Sequence, residues 1–183
     1  MPKNIEIKAR IESVESLAPL VARIADEGPR EIFQDDTFFA CHAGRLKLRT
    51  FSEHDGQLLF YQRLVGAGPK ESFYVISPTS SPETLRQALS LAYGVVGRVR
   101  KHRTLFLVGR TRIHLDKVEE LGDFLELEVV LAEGEPPTAG MAVANELLSK
   151  LAIPQSQLID KAYVDMLPLN MSDTSVSSAT STL

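Results

Sequence analysis

Hydrophobic and polar positions alternate strictly at the start of the chain. Asn4, Glu6, Lys8 and Arg10 fall on one face and Ile5, Ile7 and Ala9 on the other, the two-residue period of a β-strand. From Leu17 the period lengthens: Leu17, Leu20, Val21 and Ile24 form a helical stripe, with Ser16 as its cap, Pro19 in its first turn and Gly28 as its stop. Alternation returns at 45–49, 58–64 and 70–76, with His54-Asp55-Gly56 and Gly66-Ala67-Gly68-Pro69 between, and predicts hairpin-connected antiparallel strands. Ser80-Ser81-Pro82-Glu83 opens a second helix carrying Leu85, Ala88, Leu89 and Ala92 before Gly94. Strands resume at 99–108, at 110–116 across a Gly109 turn, and at 124–131 after Gly122. Pro136-Pro137-Thr138 starts a third helix with Ala142, Leu147, Leu148 and Leu151, and Ser156 caps a fourth with Leu158, Ile159, Ala162, Tyr163 and Met166. The pattern as a whole is α+β with strands dominant.

Composition narrows the class. With 183 residues, 44% of them hydrophobic and 24% charged, the chain reads as one globular domain over 1–169. The last stretch, 170–183, is almost all Ser, Thr and small residues and is expected to be a disordered tail. No apolar run approaches the roughly 20 residues of a membrane helix. The N-terminus has no secretory apolar stretch, and Cys41 is the single cysteine, so the expectation is a cytoplasmic protein with no membrane partner. A net charge of −4 argues against a protein that coats nucleic acid.

The distribution of charge says more than its sum. If the sheet closes, with helices packed outside, one face of each strand points into a lumen. The lining is then Glu6, Lys8 and Arg10; Lys47 and Arg49; Tyr61 and Arg63; Lys70 and Ser72; Arg110, Arg112, His114 and Asp116; and Glu126 and Glu128. An ordinary half-wet sheet gives the same alternation on any one strand. So many facing Lys and Arg would repel one another unless a polyanion lay between them. A triphosphate meets that need, since Arg grips phosphate bidentately and Lys acts as a point charge. Carboxylates in the same space would in turn need a divalent cation, and hard oxygen ligands such as Glu6, Glu126 and Glu128 suit Mg²⁺ or Mn²⁺.

Several segments carry a resemblance. Asn4-Ile5-Glu6-Ile7-Lys8 resembles the Glu-x-Glu-x-Lys signature of the CYTH family, named for class IV adenylyl cyclases and thiamine triphosphatases among the triphosphate tunnel metalloenzymes. Gly44-Arg45-Leu46-Lys47-Leu48-Arg49, Val99-Arg100-Lys101-His102-Arg103, Arg112-Ile113-His114-Leu115-Asp116 and Leu121-Gly122-Asp123-Phe124-Leu125-Glu126-Leu127-Glu128 are similar to family segments in the family's order. The resemblance implies a closed eight-stranded antiparallel β-barrel, a tunnel, with helices outside. It implies triphosphate ligands at Lys8, Lys47, Arg49, Arg63, Lys70, Lys101, Arg103 and Arg112, and a metal site at Glu6, Asp116, Glu126 and Glu128. Glu6, Lys8, Asp116, Glu126 and Glu128 are the implied catalytic set. The implied reaction is cyclisation of ATP to cyclic AMP and pyrophosphate. The alternatives are hydrolysis of inorganic triphosphate, thiamine triphosphate or a nucleoside triphosphate, or retention of a triphosphate or polyphosphate without turnover. Asn4 stands where the family has its first Glu, keeping an oxygen ligand but losing a negative charge.

Other motifs read as structure. The 66–70 segment lacks the Gly-Lys-Ser/Thr ending of a nucleotide-binding loop and reads as a hairpin turn. His42, His54, His102 and His114 show no zinc spacing. Tyr163, spaced with Ile159 and Met166, reads as core, and Asp36-Thr37-Phe38-Phe39, similar to the family's second strand, as mainly structural.

Overall fold

The computed structural model describes residues 3–63 and 72–168. β1 (Lys3–Arg10) leads to α1 (Val14–Ile24), then β2 (Glu27–Phe39), β3 (Arg45–Ser52), β4 (Asp55–Arg63) and β5 (Ser72–Thr79). After α2 (Pro82–Tyr93) come β6 (Val95–Val108), β7 (Thr111–Val118) and β8 (Gly122–Leu131), then α3 (Pro137–Lys150) and the two-residue β9 (Leu158–Ile159). The strands form one antiparallel sheet in the order β5-β4-β3-β2-β6-β7-β8-β1-β9. No described helix is long and apolar enough to cross a membrane.

The expected closure into an eight-stranded barrel is not found: the sheet is open. Among the described residues β5 pairs with β4 alone, and the second edge of β1 is taken by β9, with Lys8 opposite Ile159 and Ala9 opposite Leu158. That ninth strand replaces part of the expected fourth helix. Leu158 and Ile159 satisfy the backbone of β1 instead of continuing a helical stripe, and only single 3₁₀ turns form, at Gln155–Gln157 and Tyr163–Asp165. The turn expected at 66–69, with Lys70, and the tail at 170–183 lie outside the described residues.

α1 starts one turn earlier than the stripe suggests. Ser13 is the cap, its Oγ accepting from the Ser16 amide at 3.1 Å, while the Val14 amide donates to Asp123 at 2.7 Å. The helix ends at Ala25, and Gly28 belongs to β2, where φ is +113° and a Cβ would meet the Leu105 carbonyl oxygen at 2.7 Å. The other strands and helices fall within a few residues of their expected ranges, and β2 reaches well beyond the 36–39 segment.

The outer face of β1, β7 and β8 is apolar and packs under α1 and α3. Ile5, Ala9, Val21, Ile113, Leu115, Leu127, Val129, Ala144 and Leu148 form this core. α2 covers the outer face of β2 to β4, where the tie is polar: Asp35 holds Arg98 at 2.6 and 2.8 Å and Arg86 at 3.5 Å. Asp36, the next residue, points to the opposite face. With helices outside at both ends of the sheet, the charged inner face is where the side chains of distant strands meet.

α3 rests on β1 and β8 through Gly140, where a Cβ would come within 2.6 Å of Leu131 Cδ2 and 2.7 Å of Ile5 Cγ1. Gly140→Ala gains about 1 kcal/mol of helix propensity but overpacks a closed core at a cost of about 1–3 kcal/mol. Urea denaturation is expected to show a net loss of stability; a midpoint at or above wild type would mean that α3 lifts freely.

Candidate functional site: a charged cradle on the inner sheet face

Residues opposite one another in an antiparallel ladder project to the same face, so the register assembles the site. β1 and β8 set Glu6 opposite Glu128 and Lys8 opposite Glu126. β7 adds Arg112 opposite Glu128 and His114 opposite Glu126. β6 sets Arg103 opposite Asp116 and Lys101 opposite Gln34 of β2. β3 sets Arg49 opposite Asp36. Predicted residues from β1, β3, β6, β7 and β8 are therefore brought to one surface.

Two of its ion-pair clusters have the same construction. At the first, Asp36 Oδ1 accepts from Arg49 Nε at 2.7 Å, and Oδ2 accepts from Arg49 Nη2 at 2.7 Å and Lys47 Nζ at 2.8 Å. At the second, Asp116 Oδ1 accepts from Arg103 Nε at 2.6 Å, and Oδ2 from Arg103 Nη2 at 2.7 Å and Lys101 Nζ at 3.1 Å. Both use the same local sequence: Lys47-Leu48-Arg49-Thr50 on β3 and Lys101-His102-Arg103-Thr104 on β6. A two-residue spacing keeps Lys and Arg on one face, and the aspartate sits on the neighbouring strand directly across from the arginine.

The second cluster is larger. Glu126 accepts from Arg103 Nη2 at 3.1 Å, contacts His114 Nδ1 at 3.0 Å, and lies 3.6 Å from Lys8 Nζ. Tyr163 donates its hydroxyl to Asp116 Oδ2 at 2.9 Å. At the edge of the cradle Arg112 Nη1 donates to Glu128 Oε1 at 2.9 Å, Asn4 donates its amide to the same oxygen, and Glu6 lies 3.8 Å from Lys8.

Five cations, Lys8, Lys47, Arg49, Lys101 and Arg103, keep no more than 18% of their side-chain surface exposed, against three comparably buried carboxylates, Asp36, Asp116 and Glu126. The buried centre thus carries an excess of positive charge. Protonation responds to it. Burial pushes the Asp36 carboxyl up, but Lys47 and Arg49 outweigh it and hold it far below the usual carboxylate range. Asp116 is lowered in the same way by Lys101 and Arg103 against its burial, and Glu126 by Arg103 and His114 against its own. Burial lowers Lys101 despite Asp116, with Arg103 adding repulsion. Burial also brings Lys47 down to about 8 despite the pull of Asp36, with Arg49 and Lys101 working in the same direction as burial.

Not every expected residue joins the cradle. Arg110 lies past the Gly109 turn and pairs with Glu135 at the surface, because β7 begins one residue later. Arg10 is on the inner face but exposed, its guanidinium 4.8 Å from the Phe124 ring centroid. Tyr61 flanks Lys47 at 5.9 Å, and Arg63 ends β4 opposite Ser72. Lys70 lies outside the described residues. Three residues that sequence reasoning left out belong to the cradle: Asp36, Tyr163 and Gln34. Gln34 is buried opposite Lys101, and its Oε1 has no hydrogen-bond partner among the described residues. The repeated Lys-x-Arg-Thr was the available signal for Asp36, since each copy needs a facing carboxylate.

The fit to a divalent ion differs among the four expected ligands. Among the described residues no three His, Cys, Asp or Glu converge as a metal cage. Asp116 is fully buried with both oxygens filled by cations and a phenol, which suits an anchor for the basic residues better than a metal ligand. Glu128 is different: both of its donors approach Oε1, and the neighbouring Glu6 side chain is 51% exposed. Hard oxygens in that setting fit Mg²⁺ or Mn²⁺, which are held by one or two carboxylates together with substrate phosphates.

Asp116→Asn keeps the shape but leaves Arg103 with Glu126 as its remaining counter-charge and takes from Lys101 the carboxylate it donates to. The expected loss is about 3–5 kcal/mol of stability, read from urea denaturation; a loss under about 1 kcal/mol would show the cluster adds little to the fold. For Lys47 the pH dependence has a definite sign. Between pH about 8 and the ordinary lysine value of 10.5 the unfolded chain holds a proton that the fold has shed, so this group makes stability rise with pH across that window. Lys47→Arg, which stays charged, is expected to remove that part of the slope; an unchanged slope would place the Lys47 transition elsewhere.

The sequence model of the CYTH domain matches residues 2–163, and no curated protein matches the chain. Among solved structures, the PH1012 protein of Pyrococcus horikoshii OT3 is similar at 21% identity and a TM-score of 0.78, over 90% of this chain and 99% of that one. A "putative adenylate cyclase" of Vibrio parahaemolyticus is similar at 17% identity and a TM-score of 0.67, over 90% and 97%. A Bacillus halodurans protein described in the same words is similar at 15% identity and a TM-score of 0.60, over 90% and 97%. These likenesses concern the fold; the family rests on the domain match, which takes in every strand of the cradle, and by it the chain belongs to the CYTH family.

Proposed function

We propose that the cradle binds a triphosphate and that the chain is a metal-dependent enzyme of the adenylyl cyclase kind, converting ATP to cyclic AMP and pyrophosphate. The observation that carries the reading is the buried excess of cations over carboxylates, five against three, on one sheet face. Unpaired buried charge is costly, and a chain of phosphoryl groups supplies the missing negative charge along the line from β3 to β1.

In this reading Lys47, Arg49, Lys101, Arg103 and Lys8 hold phosphate oxygens, with Arg112 at the edge and Arg63 and Lys70 as further contacts. Asp36 and Asp116 orient the arginines. Glu6 and Glu128 would hold Mg²⁺ or Mn²⁺, and Glu126, set among Arg103, His114 and Lys8, fixes the cations beside them. The ion, when bound, neutralises phosphate charge and aligns the phosphoryl group. The chain's own contribution is positioning: it holds the polyphosphate extended so that the ribose 3′-hydroxyl meets the α-phosphorus, and stabilises the departing pyrophosphate with fixed cations.

Hydrolysis of inorganic triphosphate, thiamine triphosphate or a nucleoside triphosphate is the second reading. It is favoured by the make-up of the cradle, whose described side chains account for phosphate recognition without an evident reader of adenine. Binding without turnover is a third, which the loss of a carboxylate at Asn4 favours.

Incubation of the purified protein with ATP, inorganic triphosphate and thiamine triphosphate, each with Mg²⁺ or Mn²⁺, separates them. Cyclic AMP and pyrophosphate from ATP are the expected products. Phosphate release alone would replace the cyclase reading with the hydrolase. A raised melting temperature with no turnover would leave a binding module. Lys8→Ala is expected to weaken triphosphate binding about tenfold, the order of one lost charge-assisted hydrogen bond; an unchanged dissociation constant would put Lys8 outside the site.

A further inference from the structure

The two Lys-x-Arg clusters are alike in register and bonding, yet among the described residues one has a phenol partner that the other lacks. Tyr163, carried by the 3₁₀ turn Tyr163–Asp165, enters the inner face from the C-terminal segment and meets the β6 cluster. Its hydroxyl donates to Asp116 Oδ2 at 2.9 Å, the oxygen that also takes Lys101 and Arg103. Its ring centroid lies 4.4 Å from Lys8 Nζ and 5.1 Å from Lys101 Nζ, both within cation–π reach.

The segment that delivers Tyr163 is held at several points. β9 pairs with β1, and the Tyr163 ring packs on Phe124 at a centroid distance of 4.9 Å. Val164 Cγ2 occupies the space beside Gly97, 2.6 Å from where a Cβ would stand, and Asp165 accepts from Arg45 of β3 at 2.6 Å. The C-terminal segment therefore crosses the inner face from β1 to β3. At the other cluster, Lys47 has Phe38 and Tyr61 rings at 5.5 and 5.9 Å, and the Asp36 oxygens take their bonds from Lys47 and Arg49.

We propose that Tyr163 is a positioning residue for the anion site, holding the ammonium groups of Lys8 and Lys101 and the carboxylate of Asp116 in the arrangement that receives phosphate. Burial, with Asp116 and Glu126 beside it, pushes the phenol far above its ordinary range, so Tyr163 stays protonated and donates. One ring gathers ammonium groups from β1 and β6, strands that are not neighbours in the sheet, and so fixes a distance that no single pairing register fixes. The C-terminal segment thereby becomes part of the site, with Gly97 and the Arg45–Asp165 pair as its seats.

This inference rests on the triphosphate reading for its ligand, so the experiment has two separable readouts. The first is the rate at which Lys8 and Lys101 are reductively methylated in the unliganded protein, followed by mass spectrometry. The second is the dissociation constant for inorganic triphosphate. Tyr163→Leu is expected to raise both methylation rates at least fivefold and weaken triphosphate binding at least tenfold. Tyr163→Phe, which keeps the ring, is expected to restore most of the methylation protection and to weaken binding about threefold. Where Tyr163→Leu fails to fold, Gly97→Ala, which displaces Val164 while leaving Tyr163 in the chain, is expected to shift both readouts in the same direction. Unchanged methylation in the folded variants overturns the positioning role. A wild-type protein that ignores triphosphate overturns the ligand while leaving the methylation test standing. Weakened binding with equal loss in the Phe and Leu variants would assign the effect to the hydroxyl and overturn the part given to the ring.

Discussion

Five ammonium and guanidinium groups cannot share a buried surface unless carboxylates are interleaved among them, and the strand order supplies that interleaving. Asp36 on β2 lies between the cations of β3 and β6, Asp116 on β7 faces those of β6, and Glu126 on β8 separates Arg103 from Lys8 on β1. No two strands carrying Lys and Arg in this group are adjacent without an acidic strand beside them. The rest of the molecule follows from keeping this face inward. Helices occupy the other side, where the alternate residues of the same strands are apolar over β1, β7 and β8. The adjacent pair Asp35 and Asp36 tie the two sides together, one carboxylate fixing Arg98 under α2 and the other fixing the cradle.

Legibility in the sequence follows from whether polar residues keep to one face of an element. β1, β3 and β7 alternate because one face is apolar core and the other polar, and their inner residues were readable from period alone. β2 was not, beyond its last few residues: Gln34, Asp35, Asp36, Thr37, Phe38 and Phe39 are all buried, so both faces are closed and polar residues appear on each. A period of two cannot be seen where polar residues stand on both sides. Tyr163 is core, packed with Phe38, Val99, Val118 and Phe124, but it is not on the expected helix. Its spacing with Ile159 and Met166 mimics a helix, but Ile159 is drawn into β9 and Tyr163 onto the inner face, a tertiary demand that local pattern does not carry. The open sheet has the same origin: the edge of β1 is claimed by a strand of two residues, too short to register as alternation.

The geometry of the arginines shows how a cradle already paired with its own carboxylates would take the proposed anion. A guanidinium has five N–H donors. Arg49 and Arg103 each face their aspartate through Nε and Nη2, which leaves the two hydrogens of Nη1 outside the carboxylate fork. Each aspartate therefore fixes the plane of its arginine without using the whole of it. Phosphate bound at Nη1, as proposed, would need no carboxylate to be released, and the aspartates would not be displaced from a buried position to make room. The lysines differ, because an ammonium has three hydrogens and no fixed plane; Lys47 and Lys101 are steered by the same oxygens that orient the arginines. On the proposed reading, this pairing is thus part of the preparation for an anion. It lowers the self-repulsion of the five cations while keeping each pointed to the common space.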